Sequence, residues 1–207
     1  MGGDVQQAGR SFDADVRVLV DAGRPRDAAN LLVARLSSEL RPFLHRLLGD
    51  VALADEAHSA TCERLWRGLA NFRWESSLRS WTYIIARREA SRCRARYARS
   101  DWHTTLSAAE AVAIQATSRS LSTTQQDIVE SLRLSLSPED RDLLVLRIER
   151  GLSWKEIAAA FLEDDETDAG VLDREAARLR QRFRSIRTNL KAALVKRNTP
   201  GSETRGS

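Results

Sequence analysis

Leu172, Ala176, Leu179, Phe183, Ile186, Leu190 and Ala193 recur every three or four residues. At about 100° per residue this spacing draws one narrow apolar stripe down a helix. Val and Ile are scattered through the rest of the chain, and no alternating apolar and polar run reaches strand length. A chain patterned in this way buries helix against helix, and the sequence predicts an all-α protein.

Residues 12–48 read as two helices broken near "AGRPRD", with Gly23 and Pro25 as punctuation and Asp27 as a cap. The second stacks Leu32, Leu36, Leu40, Leu44 and Leu47 on one face, carries Pro42 as a kink site and ends at Gly49-Asp50. A third helix is predicted over residues 52–70, a connecting loop over 71–77 and a fourth helix over 78–99. Tyr83, Ala86, Ala90, Cys93 and Tyr97 lie along one side of that fourth helix. Residues 100–122 are rich in Ser, Thr and Ala without a sustained stripe, which is a linker pattern.

Beyond it, Ser137 is a cap, Pro138 takes the first helical position and acids fill the first turn. Leu143, Leu144, Leu146 and Ile148 supply the buried side, and Gly151 supplies the stop. Ser153 and Glu156 form a capping box that opens the next helix, and the pair reads as the start of a helix-turn-helix. The expected organisation is two helical domains, 1–99 and 123–197, joined by a flexible linker at 100–122 and followed by a disordered tail at 198–207.

Charge is distributed unevenly. The net value is only +4, but residues 71–100 carry eight Arg against Glu75 and Glu89. Residues 171–197 carry nine Lys or Arg against Asp173 and Glu175, while acids gather in "EDDETD" at 163–168. Two separate basic blocks predict two contacts with a polyanion. In the C-terminal block Arg180, Arg184, Arg187 and Lys191 line one flank of the stripe, and Arg174, Arg178, Gln181, Arg182 and Ser185 line the other. Guanidinium forks and an amide aimed away from a packed face suit a DNA major groove. In the first block, "FRWESSLRSWTYIIARREASRCRAR" sets Phe72, Trp74, Trp81 and Tyr83 before Arg87, Arg88, Arg92, Arg94 and Arg96. A duplex hides its base faces, so flat rings beside an arginine-lined helix suit a separated strand, each stacked base contributing roughly 1–3 kcal/mol.

Other chemistries find little support. There is no Gly-rich phosphate loop, GxSxG or HExxH, so no catalytic residue is expected. His58 and Cys62 are four apart, but paired ligand spacings such as CxxC or HxxxH are lacking, and neither a metal nor a cofactor is expected. Two cysteines make no disulfide framework. No apolar run approaches the ~18–20 residues of a membrane span. "MGGDVQQAGRSFDADV" lacks a signal pattern, and its sixth residue, Gln, does not fit a myristoylation motif. The expectation is a cytoplasmic protein.

The segments "LLGD", Asp55–Glu56, "RLW" at 64–66, "FRWESSLRSWTY" and "IARREASRCRAR" together resemble region 2 of an extracytoplasmic-function sigma factor of bacterial RNA polymerase, in the sigma-70 family. "LSPEDRDLLVLRIERGLSWKEIAAAF" with "RLRQRFRSIRTNLKAAL" resembles region 4. The resemblance implies that helix 52–70 meets the β′ coiled coil of core polymerase through Asp55, Glu56, Ser59, Glu63 and Trp66. It implies that Asn71, Phe72, Arg73, Trp74, Ser76 and Ser77 capture a flipped-out base of the minus-ten element. Trp81, Tyr83, Arg87, Arg88 and Arg92 would contact the promoter strands beside it. The last helix, about residues 175–194, would read the minus-thirty-five element through Arg174, Arg178, Gln181, Arg182 and Ser185, and region 4 would also meet the β flap. An anti-sigma factor is the expected regulatory partner.

Two departures stand out. Ser59–Ala60 occupies the place of a common Gln-Glu pair, and the 163–168 region lengthens the turn before the last helix. The competing reading is a helix-turn-helix repressor or activator that binds duplex DNA without replacing sigma.

Overall fold

The computed structural model describes residues 2–100, 136–162 and 168–198. Most of the expected linker and tail, and residues 163–167 of the acidic segment, lie outside them. The described residues contain seven α-helices and no strand. They are α1 (Gly2–Asp21), α2 (Pro25–Leu48), α3 (Val51–Gly68), α4 (Leu78–Ser100), α5 (Pro138–Leu144), α6 (Trp154–Phe161) and α7 (Ala169–Asn198). A 3-10 turn, Leu69–Asn71, extends α3, and a π turn, Val145–Glu149, extends α5.

Local chemistry fixes most of the ends. Gly49 adopts φ 73 and its N–H reaches the His45 carbonyl, closing α2 in the left-handed conformation that glycine tolerates. Asp50 then accepts the Leu53 N–H at 2.8 Å and opens α3. Ser137 accepts from the Asp140 N–H, and the Ser153–Glu156 capping box is complete in both directions. One local expectation changes. Pro25 takes the first position of α2 and Asp27 is no cap; its carboxylate instead accepts from Arg24 Nε at 2.7 Å. Pro42 lies within α2, which continues through it to Leu48.

The leucine face of α2 is the centre of the packing. Leu32, Leu40, Phe43, Leu44 and Leu47 are buried, with Ala54, Ala57 and Leu65 of α3 and Tyr83, Ala86, Ala90 and Cys93 of α4. Small residues on α3 and α4 let the helices approach closely around the larger leucines. Tyr97, on the same expected stripe, is half exposed because α4 runs on beyond its packing partners. The C-terminal helices are not a detached body: α5 packs on α2, and α6 packs on α4. Trp154 and Phe183 meet edge to face at 5.4 Å and pin α6 to α7, and Lys155 pairs with Asp173 at 2.9 Å.

His58 of α3 is buried. Burial, assisted by the positive Arg41 nearby and opposed by Asp55, holds its imidazole below the ordinary histidine value. As pH falls through about 6.5 the unfolded chain takes up this proton before the folded one, so folding stability drops until the folded imidazole also titrates. We expect urea unfolding to show a smaller stability loss between pH 7 and pH 5 for His58→Gln than for the natural chain.

Candidate nucleic-acid interface

The aromatic loop is built by both its flanks. Phe72 packs against Trp74 at 5.1 Å edge to face and against Trp81 at 4.7 Å. All three rings are half-buried, so one side of the cluster is open to solvent. Trp74 has φ 59, a left-handed conformation that costs a non-glycine residue on the order of 1–3 kcal/mol. The surroundings hold it there: Phe72 on one side and, from α1, the Arg17 guanidinium 5.4 Å from the ring centre. Asp13 of α1 accepts the Leu78 N–H at 3.3 Å, and Ser77 Oγ accepts the Ser80 N–H at 3.0 Å, so two residues cap α4. Burial pushes the Asp13 carboxyl up, opposed by that N–H. Asn71, Arg73 and Ser77 are exposed and Ser76 half-buried.

Tyr83 is placed otherwise than the sequence reading expects. It is 2% exposed, packs edge to face on Phe43 at 4.9 Å and donates its hydroxyl proton to Glu39 at 2.7 Å. Burial works against the Glu39 carboxylate, but the hydrogen bonds from Tyr83 and Arg79 outweigh it and leave its pKa below the ordinary range. Tyr83 is therefore a core residue of the bundle, and no base can reach it in this packing.

The arginines of α4 differ most from an open ladder. Arg87 donates Nε to Asp142 Oδ2 at 3.1 Å and Nη1 to the Ala160 carbonyl at 3.1 Å, with its guanidinium 3.8 Å from the Phe161 ring centre. Arg88 donates to the Ala159 carbonyl at 2.8 Å. Arg94 binds both oxygens of Asp142, at 3.1 and 2.6 Å, and Asp142 is fully buried. Arg92 and Arg64 share Glu89 at 2.5 and 2.7 Å. Burial lowers the Arg87 pKa while Asp142 raises it. Deleting one partner of such a buried pair costs about 3–5 kcal/mol, because the other charge stays behind. Arg87 and Arg88 are thus closed off in this packing by the C-terminal end of α6, whose last carbonyls need donors.

Residues 55, 56, 59, 63 and 66 share the exposed side of α3. Asp55, Glu56, Ser59 and Glu63 face solvent, and Trp66 is 45% exposed. Their acids are paired within the chain: Asp55 with Arg41 at 3.5 Å, Glu56 with Arg96 at 2.8 Å and Glu63 with Arg67 at 2.6 Å. Beside them an open, mostly apolar hollow of about 440 Å³ is lined by Asn30, Val33, Ala34, Cys62, Glu63 and Trp66. Cys62 Sγ lies 3.7 Å from His58 Nε2, but among the described residues no group of three or more His, Cys, Asp or Glu comes together as a metal site.

On α7, Arg174, Arg178, Gln181 and Ser185 are exposed. Arg178 is held along the helix by Glu175 at 2.6 Å, which raises its pKa. Arg182 turns inward instead: it binds Asp140 at 2.5 Å and Ser137 at 3.2 Å, at the start of α5. The helix begins at Ala169, six residues before the expected start near 175, with Asp168 accepting the Gly170 N–H at 2.9 Å.

The Sigma-70 region 2 family model matches residues 32–102, which span most of α2, all of α3, the aromatic loop and α4. The matched segment is similar to region 2 of the sigma-70 family and covers about a third of the chain. No curated protein matches the chain. No helix among the described residues is long and apolar enough to cross a membrane.

Two structural residues, Asp13 and Arg17, were missed by the sequence reading because they act on the loop from another helix. Gly68 was missed as well. A Cβ there would sit 3.1 Å from Trp81 Cζ2, so its lack of a side chain lets Trp81 lie against the end of α3. Gly68→Ala is expected to displace the Trp81 and Phe72 rings, changing near-UV circular dichroism while far-UV helicity holds or rises, since alanine favours helix by about 1 kcal/mol. An unchanged near-UV spectrum would show that the ring accommodates the methyl group without moving.

Proposed function

We propose that the chain is a sigma factor of the extracytoplasmic-function group, acting in the cytoplasm. It binds core RNA polymerase, recognises the minus-thirty-five and minus-ten promoter elements and helps open the DNA. The observation that carries this reading is the region 2 match over residues 32–102, on a bundle whose loop gathers Phe72, Trp74 and Trp81 into one half-open aromatic cluster.

In this reading the exposed side of α3, with Asp55, Glu56, Ser59, Glu63 and Trp66, meets the β′ coiled coil. The aromatic cluster takes an unpaired base, with Asn71, Arg73 and Ser76 at its rim, while the Ser77 hydroxyl is already engaged in starting α4. Arg174, Arg178, Gln181 and Ser185 meet the upstream duplex, and Arg182 fixes α7 on α5. Region 4 also meets the β flap, and an anti-sigma factor restrains the protein. The chain makes and breaks no bond; catalysis is the polymerase's.

The test is formation of a one-to-one complex between the purified chain and sigma-free core polymerase on gel filtration without DNA. Failure of that complex, alongside tight dimeric binding to duplex DNA, would replace this reading with the helix-turn-helix repressor. Given the complex, Trp74→Ala should weaken promoter opening by about 1–3 kcal/mol and leave core binding intact. Loss of core binding with helicity preserved would reassign the loop. Arg178→Ala should cost about 1–3 kcal/mol at the upstream element if it reads a base. An equal loss on scrambled upstream DNA would make it a phosphate contact.

A further inference from the structure

A cation from α1 stands beside the aromatic loop. Asp13 and Arg17 are one helical turn apart on the same side of α1. Asp13 accepts the Leu78 N–H at 3.3 Å where α4 begins, and the Arg17 guanidinium lies 5.4 Å from the Trp74 ring centre. α1 is itself anchored, because Val16 is fully buried and Phe12, Leu19 and Val20 pack against the core. The guanidinium is therefore presented to the ring by the body of the protein rather than by the loop. A cation–π contact uses the charge of the group and leaves its N–H donors for another acceptor. Among the described residues the one acid partner of Arg17 is Asp21, 3.8 Å from Nε and beyond hydrogen-bond reach, and both side chains are more than half exposed.

We propose that Arg17 is a phosphate ligand for the nucleic-acid strand whose base enters the aromatic cluster. The proposal rests on the reading that Phe72, Trp74 and Trp81 take an unpaired base, and it assigns the cation that meets the backbone of that nucleotide. A base stacked on these rings brings its own phosphate with it, tethered through one sugar, so a guanidinium beside the ring is within reach of the phosphate oxygens. The planar fork of Arg17 matches two of those oxygens at once. The Asp21 contact is an exposed pair that a phosphate exchanges readily. Arg17 lies outside residues 32–102, so the strand-binding surface extends onto a helix that the region 2 match does not include. A role confined to holding Trp74 needs only bulk against the indole, whereas a phosphate ligand needs the charge.

Arg17→Met in the full-length chain separates the two roles. The thioether packs on the indole without a charge, so far-UV and near-UV circular dichroism should match the natural chain. Binding of a short fluorescent single-stranded DNA should weaken about three- to tenfold at low salt, and the slope of log affinity against log salt should fall by about 0.7, the loss of one phosphate contact. A neutral methylphosphonate moved along the oligonucleotide should find one linkage that weakens the natural chain and no longer weakens Arg17→Met. An affinity loss with unchanged slope, or a methylphosphonate effect equal in both proteins at every linkage, overturns the proposal, as does a natural chain that binds no single strand. Should Arg17→Met lose helicity or disturb the rings, Arg17→Gln is judged by the same slope and linkage criteria. Trp74→Ala is measured beside them. If it leaves affinity unchanged, the base-stacking reading falls and the proposal with it; if it weakens binding while Arg17→Met does not, only the proposal falls. Core-polymerase binding by the natural chain is read separately, and a chain that passes the strand tests but never binds core keeps the phosphate ligand and loses the sigma reading.

Discussion

Asp142 is the point on which the arrangement of the helices depends. A carboxylate with no exposure is tolerable only when every oxygen has a strong donor, and Arg87 and Arg94 supply them. Those two side chains cannot turn outward without stranding the acid, so their geometry fixes where α5 rests against α4. The rest follows from proximity. Once α5 is held there, the C-terminal end of α6 falls over Arg87 and Arg88, and its last carbonyls receive the donors they lack. Arg150 comes to lie 5.4 Å from the Phe43 ring and 5.0 Å from the Tyr83 ring, and Arg46 pairs with Glu149. Charge contacts therefore recur across this junction beside the apolar core that the N-terminal and C-terminal helices share.

What was legible in the sequence was mostly what is local. The leucine spacing of α2, the Gly49 and Gly151 stops, the Ser137 cap and the Ser153–Glu156 box all depend on residues within four positions of each other, and all stand in the structure. The aromatic cluster was legible as composition, because Phe72, Trp74 and Trp81 are close along the chain. The misread features depend on distant partners. Glu39 draws Tyr83 into the core from 44 residues away, Asp13 caps α4 from 65 residues away, and Asp142 reaches Arg87 across 55. Periodicity assigns a face to a side chain but does not say what covers that face. Arg87 and Arg88 therefore read as open contacts for a nucleic-acid strand although another helix lies over them. Asp27 fails for a nearer reason: Pro25 already starts the helix, and Arg24 claims the carboxylate.

The aromatic loop shows how a mobile-looking composition becomes a defined shape. Trp74 pays conformational strain at φ 59, and that geometry persists only because its neighbours over-determine it. Phe72 sets the ring from one side, Arg17 from another, and the doubly capped start of α4 anchors the far end. Trp81 approaches α3 where Gly68 offers no methyl group. The rings are thus oriented in the free chain, which in the proposed function would reduce the ordering cost of stacking a base.

The exposed side of α3 works by a different balance from the junction at Asp142. Its acids are also paired, but Arg41, Arg96 and Arg67 are all more than half exposed. Surface pairs of this kind contribute about 0–1 kcal/mol and are screened by salt. A partner can take over either member at small cost, so these pairs neither block binding nor supply much of its energy. The apolar area on this side lies at Trp66 and the adjoining hollow, where a large ring stands beside Val33 and Ala34. Ser59 removes little from such a contact: its hydroxyl is turned back onto the Asp55 carbonyl at 3.0 Å, so it presents a small, internally satisfied surface. In the proposed complex the charges on this side would select and orient the partner, and the indole would supply the area that holds it.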